Sequence, residues 1–459
     1  MKLKKVRLIT FGLLMTPLFS YAAVIHVSNG ESIQAAVNKA SSGDTILVAP
    51  GTYRETVYID KENITLQGEI IKGKRAWLDG GGKLNDGILA AGNGVSISGF
   101  AVKGYKGNSI MTQGANNYRI VDNYVQGGFY GIFPQFGRNG LVARNRITGV
   151  EDAGIYLGMS DNVDMIGNEA WGNVIGIEAE NSRNVLMEGN FIHDNVEGIA
   201  ASLFSGLPIK DAKNITIRGN FVVKNNIKNF APASSIASSV PSGIGVLILG
   251  AKNSTVENNI ISENNTSAIV VTDLVTFGLA TDSKVDPIPD GVQILENTYV
   301  NNGTKPVAPF KEMIHVSGNT SADIIASGKE RTSCIKHRTS TVEIGTKKWN
   351  ECEIGATTAS LKTAMLDQPY VSPPLNIEQK GRLTYLSVCT GCHAFNTQIH
   401  GPSILSIKAL YAGDPDGLVK YISNPVKKRK DFADMPKQDY LSPEILNSVA
   451  HYILDELKN

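Results

Sequence analysis

NRITGVEDAGIYLGMSDNVDMIGNEAWGNVIGIEAENSRNVLMEGNFIHDNVEGIA, residues 145–200, carries two signals in step. Asparagine followed by a short run recurs at Asn145, Asn168 and Asn190, and Gly-Ile recurs at Gly154-Ile155, Gly176-Ile177 and Gly198-Ile199. Both ladders extend outward, to Asn123, Asn220 and Asn259 and to Gly131-Ile132. In the middle section the period is about 22 residues, a length that marks a solenoid. Between the turn residues, runs such as Val163-Asp164-Met165-Ile166 and Val185-Leu186-Met187 are too short for helices. Three short strands per coil is the economical reading, an all-β parallel β-helix whose inward residues form one apolar column. The repeated Asn is expected at a tight corner, bonding a neighbour's amide along the stack.

Working outward, Ser32 caps a short helix through Val37 that covers the open end of the stack, and Gly43 to Tyr53 begins the first coil. The ladder breaks between Leu203 and Gly243, where Ala231 to Pro241 has a loop composition, and again around Asp273 to Gly291. Insertions of this kind wall binding faces in solenoids. The reading divides the chain into an export signal over 1–22, a β-helix over 23–304 and an end segment over 305–355. A linker over 356–374, ending Ser372-Pro373-Pro374, and a small all-α domain over 375–459 complete it.

Ser32 to Tyr53 together with the two ladders resembles the pectin-lyase-like right-handed parallel β-helix proteins, and more narrowly secreted β-helix repeat proteins. That superfamily includes polysaccharide lyases, epimerases and hydrolases, and also periplasmic copper-maturation proteins. The resemblance therefore implies the fold and leaves the activity open.

The export reading rests on Lys2, Lys4, Lys5 and Arg7, an apolar stretch from Leu8 to Phe19, and a Ser20-Tyr21-Ala22 cleavage site. No second apolar run is long enough to span a bilayer. The formal net charge is +1, which argues against a nucleic-acid partner. Four cysteines fall into two pairs. In an oxidising compartment Cys334 and Cys352 are expected to form a disulfide, worth about 3 kcal/mol by chain entropy.

The other pair sits in Cys389-Thr390-Gly391-Cys392-His393, the attachment pattern of a c-type haem. Two thiols three residues apart reach the two vinyl groups of one porphyrin, and the adjacent His becomes the proximal iron ligand. A zinc or redox CxxC is the alternative, and the following His together with the export signal favours haem c. The flanks from Asn376 onward resemble a class I cytochrome c domain. Gly381 and Tyr385 stand where that family has a close helix crossing, and Ser442-Pro443-Glu444 begins the last helix. The resemblance implies that the Pro402 carbonyl orients the imidazole of His393. It also implies that Met435, the one Met after His393, is the sixth ligand. His400, expected to be exposed, and His451 are the alternatives. The basic run Lys427-Lys428-Arg429-Lys430 suits steering of an acidic redox partner or a solvated loop.

Counting from the Gly-Ile ladder puts Phe133, Tyr156, Glu178 and Ala200 in one outward column and Gln135, Gly158, Glu180 and Ser202 in another. Counting from the Asn ladder makes Trp171 and His193 neighbours. Tyr156, Trp171, Glu178, Glu180 and His193 are thus the candidate glycan patch, because an exposed Trp can stack on a sugar ring and Glu, His or Tyr can move its protons. The expectation is a periplasmic or secreted electron-transfer protein with one covalent haem, its β-helix binding a glycan or a partner protein. The alternatives are a polysaccharide-active enzyme (uronate lyase, epimerase or sugar oxidoreductase) with the haem as electron outlet, and a metal-handling factor.

Overall fold

The structure, a computed structural model, describes residues 22–328, 332–337, 340–353, 357–429, 432 and 434–458. Apart from Ala22 the export signal lies outside the described residues, as does Lys430 of the basic run.

Parallel strands stack into sheets of thirteen, eleven and ten strands among the described residues. One coil shows the plan. Arg138–Ala143 belongs to the thirteen-stranded sheet, Arg146–Thr148 to the ten-stranded and Ala153–Gly158 to the eleven-stranded, and Asp161–Ile166 opens the next coil. Register follows the Gly-Ile ladder. Ile132, Ile155, Ile177, Ile199, Val246 and Ile269 pair in one fully buried column. Each such side chain contributes about 1.5–3 kcal/mol by burial, so the stack is held by repetition of one contact type.

The corner asparagines are buried, and each reaches back to the coil before it. Asn145 Oδ1 accepts the backbone N–H of Asn123 at 3.0 Å and its Nδ2 at 3.1 Å, and Asn145 in turn donates to Asn168. The series runs on through Asn190, Asn220 and Asn259 to Asn297. A left-handed residue precedes each bend, as at Asp122 (φ 60°) and Arg144 (φ 54°). A second ladder, Asn173, Asn195, Asn225, Asn264 and Asn302, stands at the next corner with the same bonds.

Ser32 Oγ caps the helix Ile33–Lys39, which buries Ile33 and Val37 against the first coil. Beyond residue 304, Ile324–Ala326 and Ser333–Lys336 pair onto the stack and Glu343–Ile344 and Asn350–Glu351 pair onto them. Cys334 and Cys352 are joined there by a disulfide with Cα atoms 4.8 Å apart.

The C-terminal region has helices Ile377–Thr384, Ile404–Leu410, Pro415–Ser423 and Pro443–His451. Asn376 and Gln379 form a reciprocal cap on the first. The sequence suggests that this helix runs unbroken into the CxxCH segment. Instead it widens after Thr384, where Thr390 N–H bonds Tyr385 O at 3.3 Å. First and last helices cross closely at Gly381, where a Cβ would overlap Ser448, and Tyr385 packs against Tyr452 with centroids 5.3 Å apart.

The segment expected to be a plain linker is bonded to the coils over much of its length. It runs back down the stack as a strap. The side chains of Thr357 and Thr358 bond Glu257, and Arg218 donates to the carbonyls of Thr358 and Leu361. Thr363 and Ala364 then bond Asp164, Leu366 N–H donates to Asn139 Oδ1 at 2.9 Å, and Tyr370 exchanges two bonds with Asn117. The strap thereby returns the C-terminal helices to the middle of the β-helix, onto the outer face of the eleven-stranded sheet.

Candidate functional site

The CxxCH segment lies directly on that face. Gly391 leaves room for the Phe133 ring, which would stand 2.8 Å from a Cβ. Gln135 Nε2 donates to Thr390 Oγ1 at 3.1 Å, and Gln113 Nε2 donates to Tyr440 Oη at 2.7 Å. The two insertions flagged by their composition hold the same segment. Asn396 Nδ2 donates to the Thr281 carbonyl at 3.2 Å, Phe395 N–H to the Gly206 carbonyl at 2.8 Å, and Ser235 Oγ lies 2.9 Å from His400 Nδ1.

On the other side of the segment the helices enclose a cavity of about 810 Å³. Cys389, Cys392, His393 and Met435 all line it, with Ile404, Ile407, Leu410, Leu418, Ile422 and Ile453. His393 Nδ1 is 2.8 Å from the Pro402 carbonyl, which fixes the ring and leaves Nε2 available to a ligand. Gly401 is needed there, because a Cβ would press on the imidazole at Nδ1, 2.8 Å away. Burial pushes both cysteine thiols up to about 12. Among the described residues no group of three or more His, Cys, Asp or Glu is placed to hold a metal ion. Two thiols, one imidazole, one thioether and an apolar wall are instead the donor set that fits a covalently attached haem. His451 is turned away from the cavity, 3.0 Å from Asp455. The cavity rim is basic: Lys427, Lys428, Arg429 and Lys437 come from the C-terminal region, and Lys83 and Lys106 from β-helix turns. Lys428 is not simply solvated, since it packs over Tyr411 and Tyr421 at 4.7 Å from each centroid.

Three expectations are corrected by what covers them. His400 is not exposed. Tyr130 Oη lies 2.9 Å from its Nε2, Phe129 packs edge-on at 4.9 Å, and burial pushes its pKa down to about 4. The candidate patch is not one surface. Tyr156, Glu178 and Glu180 lie on the eleven-stranded sheet, Trp171 and His193 on the ten-stranded. Nor is Trp171 an open platform. Its ring is parallel to His193 within 2° at 6.0 Å, Tyr124 stacks at 6.5 Å, and Arg146 lies over it at 5.2 Å. His193 is occupied by Asp194 at 2.8 Å and stacks on Phe191 at 4.1 Å.

The register does place Tyr156 opposite Glu178 and Gly158 opposite Glu180, but within a packed layer rather than in solvent. Tyr156 and Glu178 are buried and Glu180 is half-buried. Tyr156 Oη donates to Glu180, and Ser202 Oγ donates to Glu178 at 2.6 Å. Burial pushes Glu178 up to about 7 and raises Glu180 too. Sequence reasoning missed Tyr130, Asp152 and Glu197, which join this layer together with His400. Asp152 and Glu197 fall two residues before and one before the Gly of the Gly-Ile ladder, so the same counting could have found them.

The sequence profile of the family described as periplasmic copper-binding protein (NosD) matches residues 37–237, less than half of the chain. No curated protein matches. Among solved structures, the A-module of Azotobacter vinelandii mannuronan C-5 epimerase AlgE4 is similar with a TM-score of 0.49 and 16% identity, over 71% of this chain and 93% of that one. The AlgE6 A-module from the same organism gives 0.48 and 18%, over 68% and 86%. An alginate lyase from Paenibacillus sp. gives 0.37 and 13%, over 72% and 98%. What the chain shares with these proteins is the parallel β-helix.

Proposed function

We propose that the chain is a c-type cytochrome acting outside the cytoplasm, with one haem held in the C-terminal cavity and the β-helix as the rigid support on which it is seated. The observation that carries this reading is the convergence of Cys389, Cys392, His393 and Met435 on one apolar cavity, with Pro402 orienting the imidazole. Bound there, a haem supplies a one-electron ferric/ferrous couple. The chain's own residues do the rest. Cys389 and Cys392 would hold the haem covalently, and His393 and Met435 would be its iron ligands. The aliphatic wall excludes water, which together with a thioether ligand favours the reduced state. The basic rim steers an acidic redox partner toward the cavity mouth. Among the described residues no helix is long and apolar enough to cross a membrane.

The polysaccharide-active reading is weaker, because Tyr156 and Glu178 are buried, Glu180 is half-buried and the faces of Trp171 are taken by protein groups. For a copper-handling reading, no group of three or more His, Cys, Asp or Glu is placed to hold a metal ion among the described residues. The test is to produce the protein with a c-type maturation system and weigh the denatured chain. The expected result is one added haem, a c-type pyridine haemochrome spectrum and reversible one-electron reduction. A bare polypeptide with unmodified Cys389 and Cys392 would overturn the reading.

A further inference from the structure

The layer between the β-helix and the CxxCH segment holds more acid than a structural interface needs. Asp152, Glu178 and Glu197 are each at most 5% exposed, and Glu180 is half-buried beside them. Their partners are few. Glu178 has Ser202, Glu180 has Tyr156, and Asp152 lies 3.6 Å from His400 Nε2. Glu197 has no hydrogen-bond partner at either carboxyl oxygen. It is in register with Ile175, which belongs to the outer apolar layer with Tyr130 and Tyr156, so its side chain faces the same space. Among the described residues no lysine or arginine pairs with any of the four. The titratable groups facing the layer from the β-helix are Tyr58, Tyr130, Tyr156 and Asp86. From the C-terminal region they are His400, Tyr440, Cys389 and Cys392.

Buried carboxylates without a counter-ion stay neutral by keeping protons. Here burial raises Asp152, Glu180 and Glu197 as well as Glu178, and the Glu178 charge raises each of the other three. The cluster therefore holds protons near neutrality that it can release one at a time. It also touches the haem-attachment segment. Tyr130 Oη lies 2.9 Å from His400 Nε2 and 3.5 Å from the Gly391 carbonyl, and Asp152 lies 3.6 Å from the same His400 nitrogen.

We propose that the carboxyl layer Asp152–Glu178–Glu180–Glu197 is a proton-binding site coupled to the haem cavity, so that the chain takes up a proton with its electron. This rests on the haem reading above. The balance is simple. One electron arrives from a redox partner, one proton arrives from water, and one carboxylate of the layer becomes a carboxylic acid. Oxidation reverses each part. An added electron removes one unit of positive charge beside the layer, which strengthens proton binding. By reciprocity, proton binding then favours the reduced state.

The experiment is a spectroelectrochemical titration of the full-length holoprotein between about pH 5 and pH 9, spanning the range over which buried carboxyls titrate. The midpoint potential is expected to fall as pH rises through neutrality, with a slope approaching one proton per electron. Glu178→Gln with Glu180→Gln is expected to flatten it while the haem spectrum is unchanged. A flat wild-type profile, or a slope that survives the double variant, would overturn the proposal. If the double variant does not fold, redox-difference infrared spectra of the wild type decide. A protonated-carboxyl band that grows on reduction and shifts in D2O supports the site, and its absence sinks it. A protein without covalent haem fails the cytochrome reading and this one with it. Covalent haem with a flat profile fails this one alone.

Discussion

The β-helix and the C-terminal region are stabilised in opposite ways. Each coil of the β-helix repeats the bonds of its neighbours, so its integrity is shared among many equivalent contacts. The C-terminal helices meet at single places instead, notably the Gly381–Ser448 crossing, and several of them face a cavity rather than one another. A repeated structure tolerates local change and offers little unique chemistry. A small helical region built around a cavity has unique chemistry and little redundancy. The chain joins the two by resting the second on a flat face of the first.

Four outcomes would break or sharpen this contrast. Replacing Cys389 and Cys392 together by Ala is expected to abolish covalent haem, read by mass, while the β-rich circular dichroism persists. Loss of both signals would mean that the β-helix depends on its passenger. Asn190→Ala is next. It takes the shared acceptor from the Asn168 N–H and Nδ2 and the Asn190 donor from the Met165 carbonyl in the buried ladder, for about 3–5 kcal/mol in denaturant unfolding. A cost under about 1 kcal/mol would show that neighbouring coils absorb the defect.

The third outcome is pH dependence. Glu178 rises from its ordinary 4.5 to about 7 on folding, so the folded state binds its proton more tightly. That stability is complete below the unfolded value and disappears as pH rises through 7. The difference is on the order of 2–3 kcal/mol between pH 5 and 8, and Glu178→Gln should remove it. The smallest effect is expected from Gly381→Ala, about 1–3 kcal/mol from overpacking against Ser448. It should lower the melting of the C-terminal region and leave the β-helix transition in place.

Legibility divides along the same line. The coils could be read because Asn and Gly-Ile recur at a fixed spacing, and counting from them assigns residues to columns. The second Asn ladder was equally open to counting, five residues after the first at Asn173 and Asn195. The haem ligand set could be proposed because five adjacent residues and one Met carry it. What could not be read was the seat. Tyr156 and Glu178 look outward by pattern, and the layer they are buried in draws on the 227–240 insertion as well as on His400 and Tyr440, which share no period with the coils. The strap was hidden for a different reason. Many of its bonds join its own backbone to side chains of the coils, such as Tyr370 N–H to Asn117, so its sequence carries little trace of them.

The strap also sets an order of assembly. Its acceptors on Asn117, Asn139 and Asp164 are brought into one line only after several coils have stacked, so it settles late. Once it has settled, Gly391 lies against Phe133 and Thr390 against Gln135, so the thiols beside them open toward the cavity alone. On the haem reading, attachment at Cys389 and Cys392 has two open sides before docking and one after it. Seating then acts as a latch that closes over a finished product.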